Sequence, residues 1–225
     1  MTMPFYVPPE QLMKDRADFA RKGIARGRSV VVLRYADGVC FVAENASATL
    51  HKVSELYDRI GFAAVGRFNE FESLRIAGIQ QADVRGFTYD RADVTARTLV
   101  NSYAQVMGAV FASADKPFEV ELVVAEVAGA ADDDRIYRIS YDGSVFDERS
   151  FAAMGGKADA VAARLASDFD PAASLSDAVK RAAGALAAAS GADGVPLEVA
   201  VLDRTRRARR TFVRLTGERI AELLS

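Results

Sequence analysis

The pattern of apolar residues in the first third of the chain predicts three β-strands. Residues 29–35 are rich in β-branched side chains, and residues 39–44 are again mostly apolar. Asp37 and Gly38 lie between these runs and are typical of a tight turn, so the two runs are predicted to form a hairpin. Residues 60–66 predict a third strand, in which glycines allow close packing.

A helical pattern follows the third strand. The pattern predicts a pair of helices, with Asp93 as the expected N-cap of the second. In that second helix, apolar residues recur at steps of three and four positions, which predicts a broad buried face. These apolar residues are Leu99, Val100, Tyr103, Ala104, Val106, Met107, Val110 and Phe111.

The second half of the chain shows strands, then two helices, then strands again. Ser174, with Asp177 three residues later, is the predicted N-cap of the second of these helices. This order predicts an α+β fold in which two sheets stack on each other with helices outside. The predicted strands are residues 119–127, 136–141, 144–146, 151–154, 195–202 and 211–215, and a last helix covers residues 218–224.

The segment before the first strand has a different character. Pro8 and Pro9 favour the start of a helix, which is predicted from Glu10 to Arg26. The helix carries many charged residues, and its apolar stripe is too narrow to anchor it deeply in its own core. We therefore expect it to lie across a surface or against a neighbouring subunit. The stripe consists of Leu12, Met13, Phe19, Ala20 and Ile24.

Composition excludes several classes of function. The 29 basic and 31 acidic residues give a net charge of −2, so global charge favours neither nucleic acid nor membrane binding. Cys40 is the only cysteine, is expected to be buried, and fits a reducing compartment. His51 is the only histidine, which excludes a multi-histidine metal site. With neither a signal peptide nor a membrane-length apolar run, the expected location is cytoplasmic.

Three local features suggest chemistry without supporting it. Gly155, Gly156 and Lys157 lack the spacing of a phosphate-binding loop. The acidic run at residues 132–134 is interpreted as a solvated turn without metal-binding spacing. Five arginines fall within seven residues and are interpreted as a solvated hairpin, with contact to another subunit or to a phosphate or acidic partner as the alternatives. They are Arg204, Arg206, Arg207, Arg209 and Arg210.

Residues 39–45 and 51–56, behind a leader that precedes the first strand, resemble the proteasome core family. The intact leader is similar to that of α-type subunits, and residues 4–11 resemble the actinobacterial branch. The resemblance implies a four-layer αββα sandwich of two antiparallel sheets. It also implies a non-catalytic subunit that needs no cofactor or metal. Seven copies would form an outer ring that is stacked on proteolytic β subunits, gates substrate entry and docks a hexameric ATPase.

The position of the catalytic threonine in β-type subunits corresponds to Arg28 and Ser29 here. In those subunits the free α-amino group of the threonine acts as the base. Twenty-seven residues precede Arg28, so such an amine would exist only after cleavage of the leader. The alternative interpretation is therefore an autonomous N-terminal-nucleophile hydrolase, matured by leader removal at Ser29. The main interpretation expects no catalytic residue in this chain.

The resemblance also implies roles for individual residues. Lys52, before the third strand, matches the lysine that receives the C-terminal carboxylate of the ATPase tail, whose last residues are a hydrophobic residue, a tyrosine and any residue. Gly66 matches the glycine at the border of that pocket, and Asp18 matches the acidic residue near the tyrosine. Residues 10–225 would form one α-type domain, with residues 10–27 as a ring-contact helix. Residues 1–9 would form the gate, through Pro4, Phe5, Tyr6, Val7, Pro8 and Pro9.

Overall fold

The computed structural model describes residues 8–114, 116–191 and 194–225. Apart from one additional strand, the strands and helices follow each other in the predicted order. The strands are β1 (Val30–Tyr35), β2 (Gly38–Glu44), β3 (Val53–Tyr57), β4 (Ile60–Gly66), β5 (Val120–Glu126), β6 (Arg135–Ile139), β7 (Val145–Asp147), β8 (Phe151–Met154), β9 (Leu197–Asp203) and β10 (Phe212–Arg214). The helices are α1 (Pro9–Ala25), α2 (Phe68–Thr88), α3 (Ala96–Ser113), α4 (Ala158–Ala166), α5 (Leu175–Ser190) and α6 (Gly217–Leu224).

The strands form two antiparallel sheets of five, which confirms the predicted α+β sandwich. One sheet has the order β10-β9-β2-β1-β8, and the other has the order β3-β4-β5-β6-β7. Val32 and Phe41 of the first sheet and Val65 and Val123 of the second belong to one buried cluster between the sheets. Successive side chains of a strand point to opposite faces of its sheet, and here both sets include apolar residues. Each sheet is therefore apolar on both faces and needs helices on its outer face.

The helices supply those two outer layers. Leu99 and Met107 of α3 pack with Phe62 and Leu122 against the outer face of the second sheet. Helices α4, α5 and α6 cover the first sheet in the same way, through the buried cluster that contains Cys40. Burial also raises the pKa of the Cys40 thiol, as expected for a small apolar residue of the core. The core therefore has three apolar layers, one between the sheets and one under each helix layer.

The structure corrects the sequence analysis at one strand and one cap. Strand β3 (Val53–Tyr57) was not predicted, so Ile60–Gly66 is the fourth strand and not the third. The β3 run contains two polar residues whose side chains are only half buried, which weakens its strand signal. The N-cap of α3 is Thr95, whose side chain accepts a hydrogen bond from the amide of Thr98, and not Asp93. By contrast, the Ser174 cap of α5 is confirmed.

The acidic run before β6 is another correction, because one of its members is buried. Asp134 is 5% exposed, and its carboxylate accepts hydrogen bonds from the amide of Ala128 and from Arg204. Arg204 donates to the second carboxylate oxygen as well, at 2.6 Å. A buried carboxylate requires such a partner because its transfer out of water is costly. Arg204 therefore belongs to the structure of the hairpin and is not a solvated residue.

Helix α1 is more firmly anchored at its C-terminal half than the narrow stripe predicts. Ala20 is fully buried and Ile24 is 7% exposed, and both join the cluster between the sheets. Gly23 lies so close to Glu119 that a Cβ atom there would overlap the carboxylate. The other three residues of the apolar stripe lie at the surface. Leu12, Met13 and Phe19 are 41%, 37% and 47% exposed.

The described helices also bear on membrane insertion. None of those found within residues 8–114, 116–191 and 194–225 combines the length and the apolar character that a membrane crossing requires.

Candidate functional site

Lys52 lies where the end of α1, the start of β1 and the start of β3 meet. Its half-buried side chain donates a hydrogen bond from Nζ to the carbonyl oxygen of Arg28, at 2.8 Å. Its own carbonyl accepts the amide of Ala64 in β4, at 3.0 Å. The main chain therefore fixes the position of Lys52 on one side, and Arg28 holds the end of the side chain.

The ammonium group of Lys52 lies in an unusual electrostatic environment. Burial is the main cause that lowers the pKa of Lys52 from 10.5 to about 8, and the nearby charge of Arg28 acts in the same direction. Glu44 and Glu198 oppose this shift, but they do not cancel it. The lysine is thus still mostly charged at neutral pH while having lost part of its hydration. An incoming carboxylate gains more from such an ammonium than from a fully solvated one.

Glu198 of β9 was not predicted, although it organises the loop that carries Lys52. Its carboxylate accepts the backbone amides of Lys52, at 2.9 Å, and Val53, at 3.3 Å. It also accepts the side-chain amide of Asn45, at 2.8 Å, and pairs with Arg214. The sequence does contain a signal for this role, because a lone carboxylate within an apolar strand run must find partners when buried.

Gly66 lies at the same end of the molecule as Lys52. It ends β4, two residues after the Ala64 amide that bonds to Lys52. Its φ is +118°, and a Cβ atom would overlap the Glu119 carbonyl oxygen, so glycine is required there. A Cβ on Gly27, just after α1, would lie 3.2 Å from the Gly66 amide nitrogen. The two chain segments therefore approach closely beside the lysine.

Asp18 does not join Lys52 and Gly66 within one chain. It lies on the exposed side of α1 and forms an ion pair with Arg21, at 3.1 Å. Arg21 in turn stacks over the ring of Tyr141. Asp18 precedes Ala25, the last residue of the helix, by about two turns, or about 10 Å along the axis. The hydrogen bond and ion pair of Asp18 within one chain are thus made to Arg21, and neither involves Lys52 or Gly66.

The predicted gate residues fall mostly outside the described part of the chain. This applies to Pro4, Phe5, Tyr6 and Val7. Pro8 and Pro9 are described, with Pro8 at the N-cap position of α1 and Pro9 as its first residue. Their fixed φ suits the start of a helix, as the sequence analysis predicted.

Ser29, the nucleophile of the alternative interpretation, is buried between α1 and β1. It is 5% exposed, and its carbonyl oxygen accepts the amide of Glu44, at 3.2 Å. Gly155 packs directly against it. His51, the one possible histidine base, has its Nδ1 atom 3.3 Å from the carboxylate of Glu198. The chain before Ser29 continues into the packed half of α1.

Two further groups concern binding chemistry. Within the described residues, no set of three or more His, Cys, Asp or Glu side chains is arranged to hold a metal ion. In the arginine-rich hairpin, Arg204 pairs with Asp134 and Arg210 pairs with Glu55. Arg206 donates to the carbonyl oxygen of Phe212, at 3.1 Å. Most of this cluster therefore makes contacts within its own chain.

Comparison with known proteins agrees with this geometry. A family model described as "Proteasome subunit" matches residues 24–202, which include strands β1 to β8, most of β9 and the Lys52 region. The chain belongs to the proteasome subunit family.

The full-length relatives in this family narrow the comparison to one type of subunit. The whole chain is 59% identical to "Proteasome subunit alpha" of Kineococcus radiotolerans and covers 99% of that protein. It is 60% identical to the protein of the same name from Nocardioides sp., of which it covers 90%. It is 58% identical to that of Thermobifida fusca, of which it covers 91%. The similarity thus includes helix α1 and is to α-type proteasome subunits of actinobacteria.

Proposed function

We propose that this chain forms the outer α ring of a proteasome core, where it controls substrate entry and docks a regulatory ATPase for intracellular protein degradation. The observation that carries this proposal is the full-length identity of about 59% to proteasome α subunits, which includes the α1 region before the first strand. Its partners are neighbouring α subunits, proteolytic β subunits and the C-terminal tails of the ATPase. Its location is cytoplasmic.

Helix α1 supports a place in a ring. Leu12, Met13 and Phe19 are exposed in the single chain, whereas Ala20 and Ile24 fasten the helix to the core. A helix that is held to the core and also presents apolar side chains at its surface suits a contact with a second copy. Seven copies around an axis would repeat this contact head to tail and close it into a ring.

The geometry at Ser29 supports a non-catalytic role over the alternative of an autonomous hydrolase. Cleavage before Ser29 would detach α1 and remove Ala20 and Ile24 from the apolar layer between the sheets. Removal of buried side chains of this size costs several kcal/mol, about 2–5 for a residue such as isoleucine. A maturation step of this kind would therefore weaken the fold that has to position the new amine.

The chain purified alone should hydrolyse no peptide, because catalysis is assigned to the β subunits. Its mass should be that of the full chain, about 24.2 kDa. Electron microscopy after co-expression with a β-type subunit should show stacked rings that cleave peptides. A chain that begins at Ser29 and turns over substrate without β subunits would support the hydrolase instead. Failure to assemble with any β-type subunit would leave a scaffold without a proteasome role.

Docking is assigned to Lys52, Gly66 and Asp18. Lys52 supplies a partly desolvated ammonium for the terminal carboxylate of the tail. Gly66 keeps the border of the pocket free of a side chain. Asp18 acts near the tyrosine of the tail and comes from the neighbouring subunit. The pocket is complete only in the ring.

The gate is assigned to residues 1–9. Deletion of residues 1–7 should accelerate the turnover of small peptides by the complete core, because the apolar ends of symmetric copies would no longer close the pore. The active sites in the β subunits are unchanged, so their sensitivity to a covalent inhibitor should stay the same. The assay compares peptide turnover in truncated and full-length cores. Equal rates would show that these residues do not restrict entry.

A further inference from the structure

The cationic residues Arg28 and Lys52 lie close together at the proposed docking site, and the side chain of Arg28 has no partner there in the part of the chain that the structure describes. The side chain of Arg28 is exposed, and within the described residues it forms no hydrogen bond or ion pair. Its backbone carbonyl is the group that holds Lys52 Nζ, at 2.8 Å. The guanidinium lowers the pKa of Lys52, which means that the two positive charges are close enough to repel each other.

The carboxylates near this pair leave the excess of positive charge in place. Glu198 is already occupied by the amides of Lys52 and Val53 and by the side chains of Asn45 and Arg214. Glu44 is buried and influences Lys52 only through its charge. Lys52 Nζ uses one of its three hydrogens on the Arg28 carbonyl, and two remain. A group that accepts several hydrogen bonds and carries a negative charge would satisfy both cations.

We propose that Arg28 and Lys52 together bind the terminal carboxylate of the docking tail, an inference that rests on the docking function proposed above. The planar guanidinium of arginine can donate two parallel hydrogen bonds to a carboxylate, and the ammonium of Lys52 donates to one of the same oxygens. Arg28 is then a specificity-determining residue, because this arrangement recognises a free chain end. A side-chain amide or an amidated terminus cannot offer the same charge and geometry.

The test uses the assembled core with its β subunits and two synthetic peptides. Both peptides end in Gly-Ser-Leu-Tyr-Ala and carry a fluorophore at the N-terminus, and one has a free carboxylate whereas the other is amidated. Their affinities are measured by fluorescence anisotropy for the unsubstituted core and for Arg28→Gln, Arg28→Lys and Lys52→Gln. Arg26→Gln is the matched control. Arg26 is also exposed, lies two residues away and undergoes the same loss of charge.

Arg28→Gln should weaken the binding of the free-acid peptide about tenfold and leave the binding of the amidated peptide unchanged, because the lost hydrogen bonds are those to the carboxylate. Arg26→Gln should change neither peptide by more than about twofold, in line with an exposed charge in solution. Arg28→Lys should restore part of the affinity, since it keeps the charge but not the paired donors. The core with both Arg28→Gln and Lys52→Gln should lose less binding free energy for the free-acid peptide than the sum of the two single losses, because both side chains act on one carboxylate.

The possible failures separate the two proposals. If Lys52→Gln weakens the free-acid peptide while Arg28→Gln behaves like Arg26→Gln, the role of Arg28 is refuted and the dock remains. If the core with Lys52→Gln binds both peptides as tightly as the unsubstituted core does, the proposed docking of the tail at Lys52 is itself refuted. Equal losses for the free-acid and amidated peptides in Arg28→Gln would also overturn recognition of the carboxylate.

Discussion

Replacement of Lys52 by alanine should nearly abolish the stimulation of protein degradation by the ATPase. The tail carboxylate would lose its cationic partner at a partly buried position, where few water molecules can solvate the carboxylate instead. Loss of one partner from such a pair costs about 2–5 kcal/mol, which is enough to eliminate a dock of modest affinity. The measurement compares ATPase-dependent degradation of a folded protein by cores with and without the substitution. Ring assembly should be unchanged, because Lys52 donates its side-chain hydrogen bond to a single carbonyl.

A matched control and a pH series sharpen this prediction. Lys157→Ala removes an exposed lysine outside the site and should leave stimulation intact. Because the pKa of Lys52 is about 8 in the free chain, its charge is present below this pH and is lost above it. Tail affinity should therefore fall as the pH rises through 8. In the complex the bound carboxylate raises the pKa of Lys52, so the bound lysine loses its charge at a somewhat higher pH. Unaltered stimulation in Lys52→Ala would show that Lys52 is an ordinary surface lysine.

Removal of residues 10–24 should leave monomers or small oligomers in place of rings. The deletion removes the exposed apolar residues Leu12, Met13 and Phe19 that we assign to the contact between neighbours. It also removes Ala20 and Ile24 from the core, so it would destabilise the single chain as well. Light scattering or native mass spectrometry distinguishes the assembly states. Intact rings after the deletion would refute the placement of α1 at the interface.

A triple substitution separates assembly from folding. Leu12→Ser, Met13→Ser and Phe19→Ser change only half-exposed side chains and leave Ala20 and Ile24 in the core. The chain should keep its cooperative thermal unfolding, because surface changes of this kind cost little stability. It should nevertheless fail to form rings. Lys14→Ser, an exposed polar position on the same helix, is the control and should assemble normally.

The sequence by itself determined the features that depend on local pattern. The turn at Asp37 and Gly38, the Ser174 cap and the buried Cys40 were predicted from neighbouring residues and are confirmed. The order of strands and helices gave the two-sheet α+β fold, because periods of two and near four positions reflect which faces are buried. The α-type proteasome family followed from motifs that lie together in the chain, and the comparisons confirm it.

Only the tertiary structure decided which distant residues meet. Glu198 binds the amide of Lys52 from 146 positions away, and Asp134 pairs with Arg204 across 70 positions. No local pattern encodes such partners, since their proximity results from sheet pairing and from the stacking of the two sheets. The lowered pKa of Lys52 arises in the same way, because burial acts on its side chain only after distant segments of the chain pack together.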